Sequence, residues 1–270
     1  MPRHKFMIVT AFFFLSSGLS FAGDVTAGQQ SFDKGEYSQA FMHFSKAFAD
    51  GHSAGGYYMG RMLELGLGVG QDRLAAFKFY QKGADAQHVP SMNRVALMYF
   101  RGEEGVKQSY DRAFSLFDAA SRSGNTNATF NLGKLYFEGK GAPKNAERAI
   151  ALYKKAAGQD HILALNTLGA LYQGSPDDKE KALARSYFER SATFGNAVGL
   201  FETGLSYLHK GNTRENLRMA HKYFNLASAR GFEKASAALQ EVTVLMLPED
   251  ITAAQADART FIALMPVEAN

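Results

Sequence analysis

Three features of the sequence carry residue types that do chemistry elsewhere. The stretch from Leu63 to Asp72, LELGLGVGQD, sets Gly66, Gly68 and Gly70 at every second position. A loop that cradles a phosphate uses glycines in this way, because backbone N–H groups must approach the anion at a helix N-terminus. Asp177-Asp178-Lys179-Glu180-Lys181 offers neighbouring carboxylates of the kind that share general acid and base work. Six histidines, His43, His52, His88, His161, His209 and His221, follow residue 22 and are candidates for proton transfer or metal ligation.

Context weakens all three. A phosphate loop follows a strand and occurs once per site, whereas LGLGVGQD has counterparts at 101–111, 138–147, 173–180 and 209–215, each between two expected helices. The glycine-rich stretch therefore reads as a helix–helix connection. Asp177 and Asp178 sit in a Pro-containing loop just before a helix, where aspartates act as N-terminal caps. No histidine has a second one three or four residues on, so no metal pair on a helix face is encoded. With no cysteine in 270 residues, thiol nucleophiles, disulfides, Cys-ligated zinc and iron–sulfur clusters are excluded. His-Glu-x-x-His, Gly-x-Ser-x-Gly and Walker sequences are absent. No catalytic residue, cofactor or metal is assigned, and the protein is read as a non-enzyme.

The elements that would position any site repeat along the chain. Ala40, Ala76, Ala113, Ala149, Ala184 and Ala220 are separated by 36, 37, 36, 35 and 36 residues, and an aromatic follows each four positions later: Phe44, Tyr80, Phe117, Tyr153, Phe188, Phe224. Such an i, i+4 pair shares one helix face. Eleven positions after the alanine come Gly51, Gly124, Gly195 and Gly231, as where a helix stops through a left-handed residue. A second helix per unit is marked by Gly60, Ala96, Gly133, Gly169 and Gly204, followed three residues later by Leu63, Tyr99, Tyr136, Tyr172 and Tyr207. Glycine inside a helix costs about 1 kcal/mol relative to alanine, so its recurrence predicts a close helix–helix approach.

The unit ATFNLGKLYFEGKG at 128–141, followed by AIALYKKAA at 149–157, resembles the Sel1-like repeat, a relative of the tetratricopeptide repeat. The resemblance covers roughly Gly28 to Val242. Gln87 in place of the helix-ending glycine, Ala96 in place of the helix glycine, Gly158 two residues early and the missing tryptophan depart from the pattern. The resemblance implies an all-α fold, a right-handed α-solenoid of helix pairs, and a role as adaptor or scaffold. Several members are exported by bacteria and act in periplasmic regulation, envelope assembly or contact with a host. A cell-wall-associated hydrolase or wall-binding protein is the alternative.

Composition fits a folded, exported chain. Hydrophobic residues make up 46% and charged residues 21%, too apolar for disorder. Arg3 and Lys5 precede the apolar run Phe6 to Leu15, and Ser20-Phe21-Ala22 has the small residues of a signal-peptidase site. Residues 1–22 are expected to be a cleaved signal peptide, because a membrane span takes roughly 20 apolar residues and Ser16, Ser17, Gly18 and Ser20 dilute this one. The rest is read as one elongated domain: 23–247 as solenoid, about five full units after an N-terminal partial unit, and 248–270 as a capping helix, running to near Pro266, and tail. Removing residues 1–22, which hold Arg3 and Lys5 but no acid, lowers the net charge from +4 to +2. So small a charge does not argue for nucleic acid or an anionic membrane.

What remains is a protein or peptide partner, expected to be an envelope protein met in the periplasm or after secretion. In tetratricopeptide arrays the first helix of each pair lines the concave side. Through the Gly60/Ala96/Gly133/Gly169/Gly204 register, the resemblance selects Tyr57, Arg61, Glu64, Asn93, Leu97, Phe100, Arg101, Phe130, Lys134, Phe137, Asn166, Gln173, Phe201, Leu205 and His209. Rings and cations are usual binding anchors. The competing reading is that several of these phenylalanines pack between repeats.

Overall fold

The computed structural model describes residues 17–103 and 105–265, and every regular element among them is a helix. The chain forms two compact units, the first up to Ser123 and the second from Gly124 onward. The single elongated domain expected from the lack of a linker is thus divided, at a turn between helices and without any Pro- or Ser-rich segment. The first unit holds α1 (Ser17–Asp33), α2 (Tyr37–Ala49), α3 (Ser53–Leu65), α4 (Arg73–Asp85), α5 (Val89–Arg101) and α6 (Tyr110–Arg122). The second holds α7 (Thr126–Glu138), α8 (Ala146–Gly158), α9 (Ile162–Gln173), α10 (Asp178–Thr193), α11 (Ala197–Leu208), α12 (Arg214–Ser228), α13 (Glu233–Thr243) and α14 (Pro248–Arg259). Within each unit consecutive helices pack on one another as far as α13, and α14 folds back on α12. Residues 1–16, with most of the expected signal sequence, lie outside the described residues.

The two sequence landmarks meet. A Cβ placed on Gly60 would lie 2.7 Å from the ring of Tyr80; on Gly133, 2.8 Å from Tyr153; on Gly169, 2.7 Å from Phe188; and on Gly204, 2.6 Å from Phe224. Each first helix has lost a side chain where the ring of its own second helix presses in. Gly28 stands in the same relation to Phe44, at 2.5 Å, in the N-terminal pair. Phe32, Tyr37 and Phe41 gather around that contact.

A second set of small residues lies five positions before the first. Gly55, Ser91, Ala128, Ala164 and Gly199 are all buried. A Cβ on Gly55 would meet the Phe44 carbonyl oxygen at 2.5 Å, and one on Gly199 the Ala192 nitrogen at 2.6 Å. These contacts join one helix pair to the preceding one.

Second helices end through left-handed residues at all six repeat positions. Glycine supplies four of them, Gly51, Gly124, Gly195 and Gly231, and Gln87 (φ 58°) and Asp160 (φ 60°) the other two. An L side chain in this region costs about 1–2 kcal/mol. Gly158, two residues early, lies inside α8, and Asp160 takes the turn.

The C-terminal helix is shorter than the sequence suggests. It ends at Arg259 and not near Pro266. Beyond it Phe261 packs against the α11–α12 core with its ring under the Arg230 guanidinium at 5.6 Å, and the Leu264 N–H donates to the Thr193 carbonyl at 2.8 Å. These tertiary contacts replace further turns of helix.

Two substitutions test this packing. Gly133→Leu should overpack the contact with Tyr153 and lower stability by about 1–3 kcal/mol despite better helix propensity; thermal unfolding at or above wild type would put the glycine on the surface. Gln87→Gly, at an exposed site, should raise stability by about 0.5–1 kcal/mol by removing the left-handed penalty, net of glycine's chain entropy, as read in urea unfolding.

Candidate functional site

The glycine-rich loop serves the helices it joins. α3 stops at Gly66 in a left-handed turn (φ 69°), the Asp72 N–H donates to the Leu63 carbonyl at 2.9 Å, and the Asp72 carboxylate accepts from the Ala75 N–H at 2.8 Å to cap α4. The same closure recurs from Ser109 to Tyr99 and from Asn145 to Tyr136. Gly68 lies against Tyr37, where a Cβ would approach to 2.6 Å. Asp177 is likewise a cap, accepting from the Lys179 N–H at 2.8 Å.

In the first unit, Tyr57, Arg61 and Glu64 lie on α3 and Asn93, Leu97, Phe100 and Arg101 on α5. Their central charge is a residue the sequence reading passed over. Arg94 donates from Nε to Glu64 at 3.0 Å and also from Nη2 to the same carboxylate, while Nη1 and Nη2 reach Glu103 at 3.1 and 2.9 Å. Tyr80 donates to Glu64 at 2.8 Å. Burial opposes ionisation of Glu64, but the bonds from Arg94 and Tyr80 outweigh it and hold the carboxyl below its usual range. Burial likewise opposes the charge on Arg94, and the two glutamates reverse that, raising its pKa. Glu64 is therefore committed within the unit, whereas the Arg61 side chain is exposed and Arg101 is 59% exposed beside Glu103. Phe100 is half-buried near Tyr110.

The second unit carries Phe130, Lys134 and Phe137 on α7, Asn166 and Gln173 on α9, Phe201 and Leu205 on α11, and His209 at the end of α11. Two of the rings face inward. Phe130, 7% exposed, packs on Tyr153 and on His161 at centroid distances of 5.4 and 4.8 Å; Phe201, 9% exposed, packs on Phe224 and Phe232 at 5.6 and 5.0 Å. Both are core residues, which is the competing reading of the sequence. Tyr57 makes the matching pair of contacts in the first unit, with Tyr80 and His88. Between Phe130 and Phe201 in the register stands Asn166, whose Nδ2 donates to Asn196 at 2.9 Å. Phe137 stays exposed, with Lys144 over its ring at 5.9 Å.

Three of the expected residues converge on one cleft. Gln173, Leu205 and His209 line a volume of about 330 Å³ together with Lys181, Arg185 and Phe188 of α10. Gln173 donates to Glu202 at 2.8 Å across its rim. Arg185 is half-buried and forms no ion pair among the described residues, whereas Lys181 pairs with Asp178, so the cleft sets Arg185 and the Glu202 carboxylate around apolar Leu205 and Phe188.

Three of the histidines share a structural position. His52, His88 and His161 occupy one repeat position, the N-cap of a first helix, a shared register the sequence reading did not draw. His161 Nδ1 accepts from the Ala164 N–H at 3.2 Å, which leaves the proton on Nε2 to be donated to Asn127 at 3.0 Å. Burial pushes its pKa down to about 4. The unfolded chain binds this proton first, so His161 makes folding less favourable as pH falls from about 6.5 toward 4. Among the described residues no group of three His, Cys, Asp or Glu side chains is arranged to hold a metal, and no helix is long and apolar enough to cross a membrane.

Stacked helix pairs with a repeated glycine–ring contact define an α-solenoid repeat protein. The Sel1 repeat matches residues 31–52, 57–88, 89–125, 126–161, 163–195 and 197–232, the first only as a partial unit, and the chain belongs to the Sel1 repeat family. It is similar to the chitin synthase regulator SKT5 of Saccharomyces cerevisiae, 27% identical over 188 residues, 66% of this chain and 27% of that protein. It is also similar to the ERAD-associated E3 ubiquitin-protein ligase component HRD3B of Arabidopsis thaliana, 32% identical over 174 residues, 63% of this chain and 24% of that one. The chain spans about a quarter of the length of these curated relatives. Among solved structures, a Sel1 repeat protein from Oxalobacter formigenes superposes with a TM-score of 0.74 at 26% identity over 87% of this chain and 98% of that one. The Escherichia coli protective antigen c5321 shares the fold, with a TM-score of 0.73 at 23% identity over 88% of this chain and 53% of its own. Sel1 repeat proteins are typically protein-interaction scaffolds, and these two curated relatives are a regulator and a ligase component.

Arg94→Ala would leave two partly buried glutamates without their cation and should cost about 2–3 kcal/mol at pH 7. Because the Glu64 pKa is lowered in the fold, its share of this stability is present above about pH 4.5 and is lost as pH falls through the folded value. Urea unfolding at pH 7 and pH 3.5 should show the wild-type margin over the variant narrowing in acid; an equal margin at both would assign the loss to packing alone.

Proposed function

We propose that this protein is an exported scaffold that holds a segment of a partner protein, an envelope protein, against the surface of its first helices. The observation that carries this reading is the cleft in which Gln173, Leu205 and His209, chosen by repeat register, come together with an unpaired Arg185 over an apolar floor. A pocket of this kind binds by shape and charge, and a partner segment with acidic and apolar side chains complements it. In the first unit the exposed Arg61 and Arg101 beside the half-buried Phe100 offer the same combination. Binding and not catalysis is the work such surfaces do, since nucleophile, base and electrostatic stabiliser do not converge on any of them. The similar regulator and ligase component, both named for roles beside other proteins, support a scaffold as the shared theme. Export rests on the basic, apolar and small-residue order of residues 1–22.

Export is checked by fractionation and N-terminal sequencing, with Gly23 expected first on a periplasmic or secreted form; a soluble cytoplasmic pool that keeps Met1 would remove it. Binding is checked by a photo-crosslinking amino acid placed at 61 or at 101 on first helices and at 78 on the exposed side of a second helix. Crosslinks to one envelope protein should form from 61 and 101 and not from 78. Changing Arg61, Arg101 and Lys134 together to Ala should leave the melting temperature near wild type and weaken capture of that protein at least about tenfold, about 1.4 kcal/mol. Full capture by the stable variant would place the surface elsewhere.

A further inference from the structure

The last repeat match ends at residue 232, so α13 and α14 are additions to the repeat array. Together with α12 they line an open pocket of about 440 Å³. His221 of α12 lines it, is 2% exposed, and has a buried Nδ1 without a hydrogen-bond partner among the described residues. In four of the earlier repeats the residue at this position is apolar, Phe41, Phe77, Phe114 or Ile150. A buried polar atom left unpaired is rare in a folded chain and calls for an explanation, such as a ligand that supplies the missing bond. Burial also keeps the imidazole below its usual pKa, so it is uncharged at neutral pH.

The rest of the lining is as specific. Asn225, Gln240 and Gln255, one from each helix, bring three carboxamides to the pocket, and Leu239, Val244 and Ile251 give it apolar walls. Among the described residues no Lys, Arg, Asp or Glu lines it, which disfavours phosphates, carboxylates and polyamines. No Phe, Tyr or Trp lines it either, so nothing there would stack on a sugar ring or a base. A carboxamide offers one acceptor and two donors side by side, the complement of a main-chain amide. Val244, Leu245 and Leu247, 81%, 58% and 51% exposed in the turn that follows α13, extend the apolar surface at this end of the fold.

We propose that the pocket between α12, α13 and α14 docks an uncharged peptide segment of a protein partner, which places one apolar side chain among Leu239, Val244 and Ile251 and sets its main chain against Asn225, Gln240 and Gln255. His221 takes the single N–H or O–H that the segment brings to it. The site is separate from the first-helix surface and differs from it in kind: that surface selects acidic partners by charge, and this one selects by shape and neutral hydrogen bonds.

The test uses a phage-displayed library of random dodecapeptides selected on the full mature chain. Enriched sequences should be uncharged with one recurring apolar residue, and a synthetic peptide of that sequence should bind in calorimetry. His221→Phe, which restores the residue of earlier repeats, should weaken it at least about tenfold, and Gln255→Ala, at an exposed position that leaves the melting temperature unchanged, at least about threefold. The triple Ala variant at 61, 101 and 134 should bind the peptide as wild type does. No enrichment, enrichment of acidic peptides, undiminished binding by Gln255→Ala, or loss of binding in the triple variant would each overturn the proposal.

Discussion

The contact between a glycine in the first helix of a pair, replaced by Ala96 in α5, and an aromatic ring in the second sets the terms for the rest of the fold. At Gly60, Gly133, Gly169 and Gly204 the ring approaches so closely that even one methyl group would collide with it. Two helices of 12 to 16 residues bury too little alone to hold together. Seating a Tyr or Phe against bare backbone lets the pair close tightly and hides most of a large ring at once. The propensity lost at glycine, about 1 kcal/mol, is small beside the roughly 1.5–3 kcal/mol gained by burying such a side chain. The buried small residues at Gly55, Ser91, Ala128, Ala164 and Gly199 apply the same close-approach logic one helix earlier.

Polar groups then specify what apolar packing leaves undetermined. Residues at the N-caps of first helices turn both ways: His161 caps α9 through one ring nitrogen and reaches Asn127 through the other, and Asn196 caps α11 while receiving a bond from Asn166. In the second unit ring stacking at Phe130 and Phe201 alternates with the carboxamide pair at Asn166, so neighbouring repeats are joined by different chemistry at one register position. Such alternation disfavours a slip by one repeat, since a ring would then face a polar amide.

The glycine–ring contact was legible in the sequence because both halves recur with the period, and so was the helical class. Which way a periodic residue faces was not. Tyr57, Asn93, Phe130, Asn166 and Phe201 share one register position, yet that position lies at the margin between core and surface, and Phe130 and Phe201 fall inside it. Arg94 was invisible for the opposite reason. It joins Glu64 and Glu103 across 30 and 9 residues in one repeat only, and a pairing that does not recur leaves no periodic trace. The left-handed turn at Asp160 and the early end of α14 at Arg259 were hidden because tertiary contacts, from Arg190 to Asp160 and from Leu264 to Thr193, override local propensity there. The division after Ser123 has no compositional mark, since Gly124 is the same turn residue that ends second helices elsewhere.

That the glycine and its ring belong to the same helix pair has a consequence for how such a chain changes over generations. A duplication or loss of one stretch of about 36 residues carries both halves of the contact together and needs no compensating change in a neighbour. Array length is therefore free to vary by recombination between similar units. Growth is limited at the ends instead. The pair nearest the N-terminus closes on Gly28 and Phe44, and α13 and α14 cover the other end with helices of a different pattern.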